Sequence, residues 1–106
     1  MSRISFQMNK VGEIIRNKRE ENGLLLRQLA AIIDVDTAIL SKIERGERKA
    51  RREQIKKIAK ALELNEKDLM IEYLSENIAY EIIDEDSAMD VLKIAEDKVK
   101  YLRRKK

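Results

Sequence analysis

The 106-residue sequence contains no cysteine, no histidine and no proline. Without cysteine the chain has no disulfide and no thiolate metal site, and nothing in it indicates an oxidising compartment. Without histidine it lacks the most common general base and metal ligand, and its carboxylates show no spacing typical of a metal site. We therefore expect neither an enzyme nor a protein that binds a metal or a cofactor.

Glycine, aromatic residues and long apolar runs are scarce as well. The sequence has three glycines, one phenylalanine and three tyrosines, whereas 41% of its residues are charged. This composition favours an all-α fold over a turn-rich sheet protein. No apolar run approaches the ~20 residues that cross a bilayer, and no signal peptide is recognisable. We expect a soluble cytoplasmic protein with one domain and an appended oligomerisation element.

Charge is distributed unevenly along the sequence. Residues 1–64 contain 15 Lys/Arg and 9 Asp/Glu, a net charge of +6, whereas residues 65–106 contain 8 and 11, a net charge of −3. Between Arg45 and Lys60, eight basic residues accompany two acidic ones. A basic first half indicates a surface for a polyanion, although a solvated face without a ligand explains the pattern equally well.

Residues 24–46 are the most informative stretch of the sequence. They read LLLRQLAAIIDVDTAILSKIERG, a pattern that predicts two short helices joined by a tight turn. Asp34 tolerates a left-handed turn, Asp36 is a strong N-cap, and the small Ala30 lets the two helices cross closely. The apolar positions at helical spacing are Leu29, Ala30, Ile33, Leu40 and Ile43.

The same reasoning predicts six helices, over about residues 10–21, 26–33, 37–45, 52–62, 65–83 and 88–103. Gly23 ends the first helix and Gly46 the third, and Asn65 caps the fifth. We divide the chain into an N-terminal extension (1–9), a helical domain (10–69) and a C-terminal helical extension (70–106).

With these residues in place, the sequence resembles the lambda-repressor-like (Cro and xenobiotic-response-element type) helix-turn-helix DNA-binding family. The resemblance covers about residues 11–69 and implies a five-helix DNA-binding domain, followed here by an additional C-terminal helix. The small size is similar to that of phage repressors and restriction–modification controller proteins. The spacing that carries the resemblance is Leu29-Ala30, Val35, Ser41-x-Ile43-Glu44-x-Gly46 and Ala59-x-x-Leu62.

The sequence departs from the family's pattern in several places. Leu25 and Leu26 replace a Thr-Gln pair whose Gln touches a phosphate, a contact for which Arg27 is the nearest substitute. The proline and the hydroxyl cap common near Ala50 and Arg51 are also missing. We therefore expect the fourth helix to begin with a weak cap.

The outward face of the third helix is expected to meet base edges in the major groove. The methyl groups of Thr37 and Ala38 can contact thymine, Lys42 can donate to guanine, and the hydroxyl of Ser41 can pair with either base type. The resemblance places base contacts at the positions of Thr37, Ala38 and Lys42. The alternatives are structural: Thr37 supports the cap, Lys42 is solvated, and Ser41 bonds its own backbone.

Two further sets of residues have expected roles. Contacts to DNA phosphates should come from basic residues around the third and fourth helices. The resemblance brings the position of Arg52 near a narrow A·T-rich minor groove, with Arg51 as the alternative. The family's positions matching Arg19 and Glu44 form a partly buried ion pair, which we interpret as structural. The phosphate candidates are Arg27, Arg45, Arg48, Lys49 and Arg52.

A single such domain contacts too few base pairs for useful specificity, so family members usually bind pseudo-palindromic operators as dimers. The two-sided apolar pattern of the C-terminal extension indicates a dimer interface, unless the last helix folds back on its own domain. The interface candidates are Met70, Tyr73, Leu74, Ile78, Leu92, Ala95, Val99 and Leu102. We expect a homodimeric, sequence-specific repressor of transcription that binds double-stranded DNA and no small-molecule ligand.

The alternative is a protein-interaction adaptor that keeps the fold without specific DNA readout. Leu25 and Leu26, unusual at the start of a DNA-facing helix, favour this alternative. Salt dependence separates the two functions, because only DNA binding releases counterions from phosphates.

Overall fold

The computed structural model describes residues 10–105, so the N-terminal extension (1–9) and Lys106 lie outside the described residues. Within residues 10–105 the chain is all-α, as predicted, and each helix begins and ends within two residues of its predicted bounds. In that range no helix is long and apolar enough to cross a membrane. The helices are α1 Val11–Glu21, α2 Leu26–Ile32, α3 Thr37–Glu44, α4 Arg52–Leu62, α5 Glu66–Ile82 and α6 Ala88–Lys105.

The first four helices each end beside a residue with a left-handed backbone. Gly23 is the predicted left-handed cap of α1, Gly46 is the predicted end of α3, and Asp34 is predicted to tolerate a left-handed turn. The N–H of the residue after it then donates to a backbone carbonyl in the last turn of the helix, as the N–H of Leu24 does to the carbonyl of Arg19 at 3.0 Å. This hydrogen bond satisfies a carbonyl that has no partner within the helix. The left-handed residues are Gly23 (φ 75°), Asp34 (φ 61°), Gly46 (φ 76°) and Glu63 (φ 58°).

At the start of two helices, the side chain of the third helical residue reaches back to the N–H of the residue before the helix. The Oε1 atom of Gln28 accepts the N–H of Leu25 at 2.7 Å, at the start of α2. In the same way Gln54 accepts the N–H of Arg51 at 2.7 Å, at the start of α4. The expectation of a weak cap on α4 agrees with this geometry: the side chain of Arg51 makes no capping hydrogen bond within the described residues, and Gln54 supplies only the reverse contact, to the N–H of Arg51.

The caps of α5 and α1 have different origins. Asn65 caps α5 as predicted, since its Oδ1 accepts the N–H of Asp68 at 2.8 Å. The residue before α1, Lys10, has no side-chain acceptor, and the N–H of Val11 instead donates to Oε1 of Glu76 at 2.8 Å. A carboxylate at this position also interacts favourably with the helix dipole. This contact ties the start of α1 to the middle of α5.

The chain divides into two compact units, with the boundary between Glu76 and Asn77. The predicted division after residue 69 fell seven residues earlier, because the first turns of α5 belong to the core of the first unit. Met70 and Tyr73, predicted for a dimer interface, are only 9% and 8% exposed within that core. The largest fully buried side chains are Ile15, Leu29, Ile33, Leu40, Ile55, Ile58 and Leu62.

The second unit contains the end of α5 and all of α6. Among the residues that the structure describes, α6 buries none of its own. Its apolar residues recur at heptad-like spacing, which is the pattern of a helix that packs against another helix. The exposed stripe is Leu92, Ala95, Val99 and Leu102.

Candidate nucleic-acid interface

The pair α2 and α3 is joined by a turn that hydrogen bonds define closely. The N–H of Asp34 donates to the carbonyl of Ala31 at 3.2 Å, and the N–H of Val35 donates to that of Ala30 at 3.0 Å. Ala30 itself is 1% exposed, in agreement with the prediction that a small side chain is needed where the helices approach. The turn therefore holds α3 at a defined angle to α2.

Two sides of α3 differ sharply in exposure. Leu40 and Ile43 are 0% and 3% exposed and fill the core of the first unit. Thr37, Ala38 and Lys42, all predicted as base contacts, are exposed. The structure thus leaves one face of a short helix free to enter a groove.

Two other residues predicted for α3 behave differently from the expectation. Asp36 occupies the N-cap position, and its carbonyl accepts the N–H of Leu40 at 3.0 Å. Its side chain, however, makes no capping hydrogen bond within the described part of the chain. Ser41 is half-buried, and its hydroxyl accepts a hydrogen bond from Arg45.

The C-terminal end of α3 is fixed to α1 by a buried ion pair. Nε and Nη2 of Arg19 donate to the two carboxylate oxygens of Glu44 at 2.7 and 3.0 Å. Nη1 of Arg19 donates to the carbonyl of Leu24 at 2.8 Å, so the guanidinium also holds the loop before α2. The hydrogen bonds that Arg19 donates to Glu44 raise the pKa of Arg19 above its usual value. The predicted ion pair is present, and it joins α1 to the end of α3.

Gly12 permits a second close approach between α1 and α3. A Cβ atom at this position would lie 2.8 Å from the carbonyl carbon of Glu44 and would collide with the carbonyl oxygens of Ile43 and Glu44. Only glycine therefore fits where the start of α1 passes the end of α3. Sequence reasoning missed this residue, because nothing in its neighbours along the chain marks the approach.

The loop between α3 and α4 presents most of the predicted phosphate contacts. Arg48 and Lys49 are exposed there, Arg52 is exposed at the start of α4, and Arg27 is exposed on α2. The loop is anchored by Ala50, which is 5% exposed and whose carbonyl accepts the hydroxyl of Tyr73 at 2.6 Å. Tyr73 thus positions this basic loop from within the core, a role that its sequence pattern did not reveal.

The guanidinium of Arg45 is hydrogen-bonded to other side chains of this chain. Its Nε and Nη2 donate to the carboxylate oxygens of Glu47 at 3.0 and 3.1 Å, and its Nη1 donates to Ser41. The hydrogen bond raises the pKa of Arg45 and lowers the pKa of Glu47, and nearby Lys42 lowers the latter further. Sequence reasoning assigned Arg45 and Ser41 to DNA separately and did not anticipate that they bind each other.

The remaining candidates for a dimer interface are accessible. Leu74 and Ile78 on α5 are 37% and 52% exposed. On α6, Leu92, Val99 and Leu102 are 39%, 51% and 60% exposed. These side chains are available to a partner, in contrast to Met70 and Tyr73.

Comparison with known proteins agrees with this geometry. The helix-turn-helix family model HTH_3 matches residues 15–69. A crystal structure of the clp gene regulator ClgR from Corynebacterium glutamicum aligns at 30% identity, over 62% of this chain and 86% of that chain, with a TM-score of 0.53. A second ClgR structure aligns at 25% identity over 90% and 88%, with a TM-score of 0.55.

Another solved structure is similar to the same extent. The wild-type restriction-modification controller protein C.Esp1396I aligns at 29% identity, over 69% of this chain and 94% of that chain, with a TM-score of 0.53. A search of curated protein sequences found no match.

Proposed function

This chain belongs to the helix-turn-helix family of DNA-binding transcription regulators, and we propose that it binds a pseudo-palindromic operator as a homodimer and represses transcription by occupying that site. The observation that carries the proposal is the two-sided α3. Its inner face is locked into the core by Leu40 and Ile43, and its outer face is exposed beside a basic loop. A rigid helix presented in this way supports direct readout of the major groove.

The proposed base contacts are the exposed side chains of α3. Lys42 can donate to O6 and N7 of guanine, and the methyl groups of Thr37 and Ala38 can pack on the methyl group of thymine. Ser41 is a base contact only if its hydroxyl proton points outward, because its oxygen accepts from Arg45.

The proposed phosphate contacts surround these residues. Arg48, Lys49 and Arg52 are exposed on or next to the loop before α4, and Arg27 is exposed near the start of α2. Such contacts set the register of α3 on the duplex but do not read sequence. Arg52 is the residue we propose for a narrow, A·T-rich minor groove.

Replacement of Lys42 by alanine tests the proposed readout. We expect affinity for the preferred operator, found by selection from random duplexes, to fall about tenfold or more, because one base contact is worth ~1–3 kcal/mol. Affinity for a random duplex should change by less than about twofold. Fluorescence anisotropy with labelled duplexes measures both.

Lys67→Ala is the matched control, since Lys67 is an exposed lysine in the first turn of α5 and is not among the proposed DNA contacts. Equal losses for Lys42→Ala on operator and random DNA would mean that Lys42 is not a base contact. For the unaltered protein, about six phosphate contacts per dimer predict a slope of about −5 for log K against log salt. A flat response on duplex DNA would favour the second candidate, a protein-interaction adaptor, which the exposure of Leu25 (48%) and Ile32 (58%) supports.

The second unit is where we propose that two copies meet. The stripe on α6 is apolar and exposed, so it can pair with the same stripe of a second copy in a self-complementary interface. The double variant Leu92→Glu/Val99→Glu should shift the protein to monomer in sedimentation experiments. Operator affinity should then fall at least about 100-fold, because two linked half-site contacts become one.

Lys93→Gln/Lys98→Gln is the control for the dimer experiment. It changes the net charge by the same two units and leaves the apolar stripe intact. If Leu92→Glu/Val99→Glu dimerises as well as this control, the two copies do not meet through α6.

A further inference from the structure

Arg45 lies at the end of α3, beside the proposed base contacts, but its guanidinium already has partners. Nε and Nη2 donate to both carboxylate oxygens of Glu47, at 3.0 and 3.1 Å, and Nη1 donates to the hydroxyl of Ser41. All three nitrogens are therefore engaged within the chain. A two-point contact of this kind is also the geometry with which arginine binds a phosphate.

The backbone places Glu47 where it can make this contact. Gly46 has a left-handed conformation (φ 76°), and the N–H of Glu47 donates to the carbonyl of Lys42 at 2.8 Å. Arg45 is the last residue before the turn and Glu47 the first after it. The hydrogen-bonded turn therefore brings the carboxylate next to the guanidinium without long-range packing.

Glu47 stands out by its charge. It is one of two acidic residues among the eight basic ones between Arg45 and Lys60, and the other is Glu53. Arg45 and Glu47 are half exposed, with side chains 50% and 55% accessible. Since the pKa of Glu47 is lowered, first by its hydrogen bond with Arg45, then by the charge of Arg45 and least by that of Lys42, its carboxylate is ionised at neutral pH.

We infer that Glu47 is an affinity-setting residue for DNA: its carboxylate holds the guanidinium of Arg45 in competition with a DNA phosphate. This inference rests on the proposed function and adds a residue to it. A DNA phosphate can bind Arg45 only by displacing Glu47. The free energy lost with the internal ion pair therefore offsets part of the free energy gained from the phosphate contact. Because phosphate contacts carry no sequence information, Glu47 lowers the affinity for every duplex by the same factor.

The variant Glu47→Gln tests this competition. Glutamine keeps the size of the side chain but removes the charge, so Arg45 becomes free to bind a phosphate. We expect affinity for operator and random duplexes to rise about three- to fivefold, the scale of an exposed charge pair. The slope of log K against log salt should become steeper by about 0.9 per bound protomer, as for one added phosphate contact.

Glu53→Gln is the matched control. It removes one negative charge from the same basic segment, but Glu53 has no ion pair with a described residue. We expect it to raise affinity by less than about twofold, through the general field alone. Circular dichroism of each variant shows whether the helices are retained.

Arg45 supplies the decisive comparison. In an Arg45→Gln background, Glu47→Gln should change affinity no more than Glu53→Gln does, because no guanidinium is left to release. The competition is overturned if Glu47→Gln raises DNA affinity no more than Glu53→Gln does, or if it still raises affinity in the Arg45→Gln background. Either result leaves DNA binding by the unaltered protein intact. If the unaltered protein binds no duplex, the proposed function fails and this inference fails with it.

Discussion

Replacing Arg19 by alanine is expected to lower the free energy of unfolding by about 3–5 kcal/mol, the range for removing one partner of a buried ion pair. The side chains of Arg19 and Glu44 are only 10% and 5% exposed. Without the guanidinium, the carboxylate of Glu44 would remain buried with its hydrogen-bond donors gone, and the carbonyl of Leu24 would lose one too. Urea unfolding followed by circular dichroism measures the loss.

Arg16→Ala provides the control for this experiment. Arg16 pairs with Glu20 one turn away at 3.3 Å, but both side chains are more than half exposed. Removing an exposed pair of this kind should lower stability by less than about 0.5 kcal/mol. Equal effects of Arg16→Ala and Arg19→Ala would contradict the structural role of the buried pair.

The double variant Arg19→Met/Glu44→Leu identifies the physical cause. If Arg19→Ala lowers stability because it leaves the carboxylate of Glu44 buried without a partner, then removing both charges should recover much of the lost stability. A double variant no more stable than Arg19→Ala would show instead that the loss comes from packing and from the Leu24 contact.

Replacing Gly12 by alanine is expected to destabilise the protein by about 3 kcal/mol, near the upper end for forcing extra volume into a packed site. In an ordinary exposed helix the same change would stabilise by up to about 1 kcal/mol. The sign reverses here because the new Cβ would collide with the carbonyl oxygens of Ile43 and Glu44, which are backbone atoms. Urea unfolding of Gly12→Ala and Gly12→Ser, with the larger loss for serine, is the measurement.

Gly23→Ala separates this collision from the loss of glycine's freedom. Gly23 is left-handed (φ 75°), and apart from its two chain neighbours no described residue lies within 4 Å of the place its Cβ would take. Its replacement should lower stability by only about 1–2 kcal/mol, the cost of a left-handed residue with a Cβ. A neutral or stabilising Gly12→Ala would mean that α1 and α3 lie further apart than the structure has them.

Short-range patterns account for the features that the sequence predicted. The helix ends at Gly23, Asp34 and Gly46 and the cap at Asn65 depend on residues three to five positions apart. Their geometry follows from residue type and local hydrogen bonding. Gln28 and Gln54 also act locally, since each side chain accepts the N–H of the residue three positions before it. Arg45 and Glu47 are two positions apart, yet their pairing depends on which of several donors and acceptors each side chain meets.

The sequence by itself determined the all-α class, the extent of each helix and the face of α3 that is buried, because helical periodicity places every third or fourth residue on one side. The resemblance to known regulators supplied the pair of Arg19 and Glu44. Only the tertiary structure decided that Gly12 touches the end of α3, that Glu76 caps α1, and that Tyr73 holds the basic loop rather than a partner. These contacts join residues 23 to 65 positions apart. They depend on how helices cross, which no local spacing specifies.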